Sequence, residues 1–221
     1  MRGSAIARGV FVLLCCCIGT TAFAAADTTE VLYQSATMGT PGQTAGISVG
    51  VFQYVGSRFE LSERRVATAV GGHFGTSATG EQTVFGALVR LTSMTDLPDS
   101  VIPLNTPDVL ATTVFALPKP SNDAIASIGP VELPPGFYAV VFGSGQFGAS
   151  GQGFVPATNV PVGLSSDISY VNLNGLHWSD TGIFQNRFVV YGEIPEPGAA
   201  ALLIVPISFL SASGRRRRTP E

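Results

Sequence analysis

Apolar positions along the central chain fall in short strand-like runs separated by turn-forming residues. "TVFGALVRL", Thr83 to Leu91, puts Thr83, Phe85, Ala87, Val89 and Leu91 on one face, which is the periodicity of a strand. "FYAVVF", Phe137 to Phe142, is a short unbroken apolar run and predicts a strand buried on both faces. "RFVVYGEI", Arg187 to Ile194, is β-branched and aromatic and predicts the closing strand. Further strands are predicted in "EVLYQSA", "GISVGVFQYV", "SRFEL", "RRVATAVGGHF", "VLATTVFAL" and "DISYVNL". Turn-forming stretches separate them: "TPGQ", "GTSATG", "DLPDS", "LPPG", "LNG" and "SDTG". In "LPPG", Pro135 presets φ and Gly136 suits the positive φ of a type II turn. No stretch between the two ends joins helical periodicity to good helix formers. The expected fold is all-β, a single jelly-roll-like β-sandwich.

Both ends break this pattern. Arg2 and Arg8 give a positive region before the apolar run Val10 to Ile18, and Ala22-Phe23-Ala24 and Ala24-Ala25-Ala26 follow it. Residues 1–26 therefore read as a signal peptide, with an apolar helix too short to span a bilayer. Its removal takes Cys15, Cys16 and Cys17, all the cysteine in the chain. The exported domain then has no disulfide, no thiolate metal site and no thiol nucleophile. At the other end Gly198 to Gly214 is uncharged. As a helix it would extend about 26 Å, a short transmembrane segment against a hydrocarbon core of about 30 Å. Arg215, Arg216, Arg217 and Arg218 follow it and would hold that side in the cytoplasm, as a stop-transfer cluster. Residues 27–193 remain as one exported domain, long enough to bury about two-thirds of its unfolded surface.

The C-terminal layout resembles a known sorting signal. Pro195-Glu196-Pro197, the apolar segment 198–214 and the basic cluster 215–218 are similar to the PEP-CTERM signal of exported bacterial proteins, over residues 194–221. The resemblance implies a partner, the integral-membrane transpeptidase-like enzyme called exosortase. It implies processing near Pro195, Glu196 and Pro197, then release or transfer from an inner-membrane precursor to the cell surface. It implies a biofilm setting in which exopolysaccharide is made. It says little about the domain itself, because the signal is attached to many unrelated domains.

Charge narrows the domain's partners. Residues 27–193 hold six basic and thirteen acidic side chains, a net charge of −7 against −3 for the whole chain. An acidic domain without a basic patch argues against nucleic acid. "GSGQFG", Gly143 to Gly148, matches a dinucleotide fingerprint, but the glycines and prolines after it cannot open the helix that the fingerprint requires. It reads as a glycine-rich loop. His73 and His177 are too few for a zinc site. "HWSD", His177 to Asp180, reads as a turn with an aromatic anchor, since adjacent residues do not make a triad. Asp96, Asp99 and Asp108 read as turn acids whose spacing fits no EF-hand, with a structural Ca²⁺ held by these loop carboxylates as the alternative. Trp178, the only tryptophan, is expected in the core, with a sugar-stacking platform as its alternative role. The expectation is a non-enzymatic surface or matrix protein without a cofactor. The alternatives are a carbohydrate-binding module and an extracellular hydrolase.

Overall fold

The protein is described by a computed structural model over residues 29–99, 104, 106–163, 166–171, 177–182 and 185–194. The expected signal helix and transmembrane helix lie outside the described residues. Among the described residues no helix is long and apolar enough to cross a membrane.

The described strands are β1 (Glu30–Gln34), β2 (Ala36–Thr37), β3 (Ile47–Val49), β4 (Gln53–Leu61), β5 (Arg65–Phe74), β6 (Thr83–Leu91) and β7 (Val109–Ala116). They continue with β8 (Asn122–Leu133), β9 (Gly136–Gly143), β10 (Gly153–Val155), β11 (Val160–Pro161), β12 (Asp167–Val171), β13 (His177–Asp180) and β14 (Phe188–Glu193). One sheet has the order β1-β14-β5-β8, and a second has the order β13-β12-β4-β9-β6-β7. Two short ladders, β10-β3 and β11-β2, complete the pairing. All the pairs are antiparallel. The architecture is all-β and consistent with a β-sandwich.

The main core lies between the two large sheets. Val55 and Phe59 of β4, Val84 and Leu88 of β6, and Tyr138, Val140 and Phe142 of β9 meet Val70 and Phe74 of β5 and Phe188 and Val190 of β14. Phe142 stacks on Phe188 with centroids 5.5 Å apart, and Phe74 meets Phe142 edge-on at 4.9 Å. These rings cross from one sheet to the other. Truncating such a ring to alanine costs about 3–5 kcal/mol.

A second apolar cluster covers the far face of the larger sheet. Phe85, Ala87, Val89 and Leu91 belong to it, as do Ala139, Val141, Tyr54, Ile168, Tyr170 and Trp178. The alternation in "TVFGALVRL" thus divides β6 between two buried faces, and "FYAVVF" is buried on both sides as its unbroken apolar run predicts. Gly143 has a local reason to be glycine. A Cβ there would lie 2.2 Å from the Tyr54 ring, so only glycine lets that ring lie across β9.

The structure corrects several boundaries. "GISVGVFQYV" is not one strand: Gly50 to Phe52 form a bend, and "QYV" continues through "SRFEL" as β4. β8 has no counterpart among the predicted strands, since Gly129 at φ 72 and Pro130 interrupt its pattern. Gly136 sits at φ 157, far from a type II turn, and opens β9 after a simple bend. "HWSD" is strand β13, not a turn.

Candidate functional site

The chemistry-bearing side chains gather at one end of the two sheets, away from the chain's two exits. His73, near the end of β5, is fully buried. Its Nδ1 lies 2.8 Å from Asn159 Oδ1 and its Nε2 lies 3.2 Å from Ser121 Oγ. Asn159 Nδ2 donates to the carbonyls of Pro156 at 2.8 Å and Gln185 at 2.9 Å. Those two acceptors fix the amide orientation, so Oδ1 faces the imidazole as an acceptor. It also accepts from Gly39 N at 3.0 Å. The arrangement suits the Nδ1–H tautomer, with Ser121 Oγ donating to Nε2.

A serine, a histidine and an orienting amide at these distances have the geometry of a nucleophile, a base and an orienter. Their surroundings bury all three. Ser121 is 1% exposed and Asn159 3%. Ser121 Cβ packs where a side chain on Gly75 would otherwise stand, 2.7 Å from that glycine's would-be Cβ. A depression of about 400 Å³ opens nearby, lined by Gly42, Thr44, Thr76, Ser77 and Lys119, but Ser121 is not among its walls. What the relay does is join five segments far apart in sequence, at Gly39, His73, Ser121, Pro156 to Asn159 and Gln185. It satisfies buried polar groups that would otherwise be costly to desolvate.

Arg187 forms a second polar clip beside it. Its Nε donates to Asp123 Oδ1 and Oδ2 at 2.9 and 3.0 Å, and Nη2 donates to Oδ2 at 2.8 Å. Nη1 donates to Ala36 O at 2.7 Å and Gln34 Oε1 at 3.1 Å. The clip ties the segments of β1, β2 and β8 to the start of β14. Ser35 Oγ extends it, donating to Asn186 O at 2.7 Å and accepting from Phe188 N at 2.8 Å. Asn186 Nδ2 donates to Asp167 Oδ2 at 3.1 Å. Tyr33 OH sits 2.7 Å from Ser57 Oγ. Burial, with the nearby Asp167 carboxylate, pushes the Tyr33 hydroxyl up to about 12 against the opposing pull of Ser57.

The remaining candidates fall elsewhere. Trp178 is 7% exposed, with Tyr170 at a centroid distance of 5.5 Å and Tyr54 the next ring at 5.6 Å from Tyr170. It offers no open face on which a sugar ring could stack, and its Nε1 has no hydrogen-bond partner among the described residues. Asp180 pairs with the buried Arg58 guanidinium, which also donates to Asp96 O at 3.2 Å. His177 is exposed and does not join His73. Asp96 caps a turn, accepting from Thr92 N at 2.8 Å, Thr92 Oγ1 at 2.6 Å and Leu97 N at 2.9 Å. Those bonds from Thr92 hold its carboxyl below the usual carboxylate range. Asp108 accepts from Thr106 Oγ1 and, at 3.4 Å, from Asp99 N. Among the described residues no three His, Cys, Asp or Glu side chains are grouped to hold a metal ion. The glycine-rich loop after β9 turns through Gly145 at φ 82 and Gly148 at φ 88 and opens no helix.

The two chain exits lie side by side. Glu30 of β1 is the antiparallel partner of Gly192 of β14, and Glu193 pairs with Val66 of β5. Ile194 follows, 52% exposed. Pro195, Glu196, Pro197 and Arg215 to Arg218 lie outside the described residues. No protein-family model matches this chain, and no curated protein matches it at a significant level.

Proposed function

We propose that this is an exported, non-enzymatic protein of the cell surface or extracellular matrix. It is sorted by an exosortase-type membrane enzyme that reads Pro195-Glu196-Pro197. The reading is carried by the order of three parts after the last strand: a Pro-Glu-Pro triplet, an apolar segment and four arginines. Each part has its own physical task. Proline favours extended backbone and disfavours helix entry, so the triplet stays outside any membrane helix. The apolar segment 198–214 holds the site at the bilayer, and Arg215 to Arg218 stop translocation.

The neighbouring exits of Glu30 and Gly192 support the same reading. A domain held by an anchor that follows β14 turns the end where β14 leaves the fold toward the bilayer. The buried polar end is then the one turned away from the bilayer. The chain crosses repeatedly between its two large sheets, from β4 to β5 to β6 and from β7 to β8 to β9. Those crossings support the finer, jelly-roll-like description. Association with exopolysaccharide completes the proposal, as the setting that the sorting signal implies.

The test is a fractionated immunoblot in a bacterium that carries the enzyme, with a tag placed after Asp27. Replacement of the triplet should accumulate a membrane-bound, signal-cleaved, full-length form. Replacement of Arg215 to Arg218 by neutral residues should yield an uncut form in the periplasm or medium. Normal maturation of the triplet variant would show that the tail is only a membrane anchor.

A further inference from the structure

The distance between the sorting motif and the folded sheet is short enough to matter. Gly192 is paired on both sides, with Glu30 of β1 and Ala67 of β5, and Glu193 is paired with Val66. Pro195 follows Glu193 by two residues, a reach of about 7 Å when fully extended. An enzyme that acts beside Pro195 and grips its substrate as an extended peptide needs backbone on the N-terminal side of the motif. That backbone is already hydrogen-bonded into a sheet.

The strand end has features that allow it to detach. Both flanking strands lose register there. On β5 the pairing steps from Ala69 opposite Tyr191 to Ala67 opposite Gly192, leaving Thr68 bulged. On β1 it steps from Val31 opposite Tyr191 to Tyr33 opposite Val190, leaving Leu32 bulged. Bulges interrupt the ladder, so pairing beyond them is separated from the body of the sheet. Glu193 has a partner on β5 and none on β1 among the described residues. Upstream, Phe188, Val189 and Val190 are fully buried. The last two residues of β14 can therefore open while the core stays closed, as strand ends do in local unfolding. Gly192 keeps that end seated: a Cβ there would lie 2.1 Å from Val66 O and 2.5 Å from Leu32 Cδ1.

We propose that Gly192–Ile194 is a detachable strand end that must leave the sheet before the sorting motif is processed. Gly192 and Glu193 are positioning residues for that reaction. The inference rests on the sorting reading above and adds a step to it. The sheet limits access to the motif, and release of two residues sets the rate at which a folded domain is handed on.

A reversible staple tests it. Val66 and Glu193 face each other as antiparallel partners, a Cα separation of about 4.5–5.5 Å that a disulfide spans. The V66C/E193C chain, full to Glu221 and starting at Asp27 so that Cys15, Cys16 and Cys17 are absent, would be incubated with membranes that carry the processing enzyme, oxidised and then reduced. The oxidised form should be processed at no more than about one-tenth the rate of the reduced form, since its end cannot open. A control staple between Ser169 and Ser179, partners on β12 and β13, should leave the rate unchanged in both states. Gly192→Ala should act in the opposite direction and speed processing. Equal rates for oxidised and reduced V66C/E193C, in membranes where the triplet variant stays uncut, would overturn the detachable end and leave the sorting reading standing. Maturation of the triplet variant in the same membranes would overturn both.

Discussion

Arg187 is where a single substitution should do most damage for the least change in volume. Its side chain is 8% exposed, and the Asp123 carboxylate it clamps is 26% exposed. Arg187→Met keeps much of the stem and removes every charged hydrogen bond. Three acceptors lose their donor, the Gln34 amide oxygen by a 3.1 Å bond. Ala36 O is in a strand at the edge of the core and loses a 2.7 Å bond from Nη1. Asp123 loses three contacts between 2.8 and 3.0 Å. Removing one member of a buried ion pair costs about 3–5 kcal/mol. Asp123 keeps a quarter of its exposure and recovers some hydration, so the expected loss is about 2–3 kcal/mol. For a domain of this size that lowers the thermal midpoint by roughly 5–10 °C. Arg187→Lys should recover little, because an ammonium cannot reproduce the fork that meets Asp123 on two sides while reaching Ala36 and Gln34. Urea titration of residues 27–193 is the assay, with Asp123→Asn and the double variant completing a cycle. The double variant should lose less than the sum of the two single losses. A loss under about 0.5 kcal/mol for Arg187→Met, the scale of an exposed pair, would refute the view that this clip holds β14 in place.

Three further outcomes are expected. Tyr33 ionises near pH 10 in the unfolded chain and at about 12 in the fold. The folded state therefore keeps its proton longer, and stability should be complete below pH 10 and decline between pH 10 and 12. The Tyr33 share is at most about 2–3 kcal/mol, and urea midpoints of the parent and Tyr33→Phe across that range would show it as a shallower decline in the variant. Trp178 fluorescence should resist acrylamide in the native state, and strong native quenching would place the ring at the surface. Asn159→Ala leaves His73 Nδ1, Gly39 N and two carbonyls without their Asn159 partner, and should cost about 1–3 kcal/mol by urea titration. An unchanged midpoint would show that the relay is not structural.

What could be read from the sequence was what periodicity encodes. β6 and β9 were legible because their alternating or unbroken apolar runs match burial on two faces. The bend at Gly50 to Phe52 was hidden because Val49, Val51 and Phe52 prolong an apolar run across it. β8 was hidden by Gly129 and Pro130, and β13 by its polar, four-residue length. The relay had no local signature at all. Ser121 is 48 residues from His73, and Asn159 is 86 away. Only the pairing of β5 with β8, and the return of the chain after β10, bring them together. Arg187 stood in a predicted strand with nothing to mark it as a clip. The two end segments stood out in the sequence only as breaks in the strand pattern. That those ends leave the fold as neighbours followed only from β14 lying between β1 and β5.

The sorting reading rests on what happens to the last residues in the exporting cell, and mass spectrometry of the exported protein observes that directly. The protein would be recovered from the surface or medium of a bacterium with the processing enzyme, and its C-terminal peptide sequenced. The account predicts an end at or beside Pro195-Glu196-Pro197, with the apolar segment and Arg215 to Arg218 gone. An exported chain that still ends in the arginine cluster and Glu221 would contradict it.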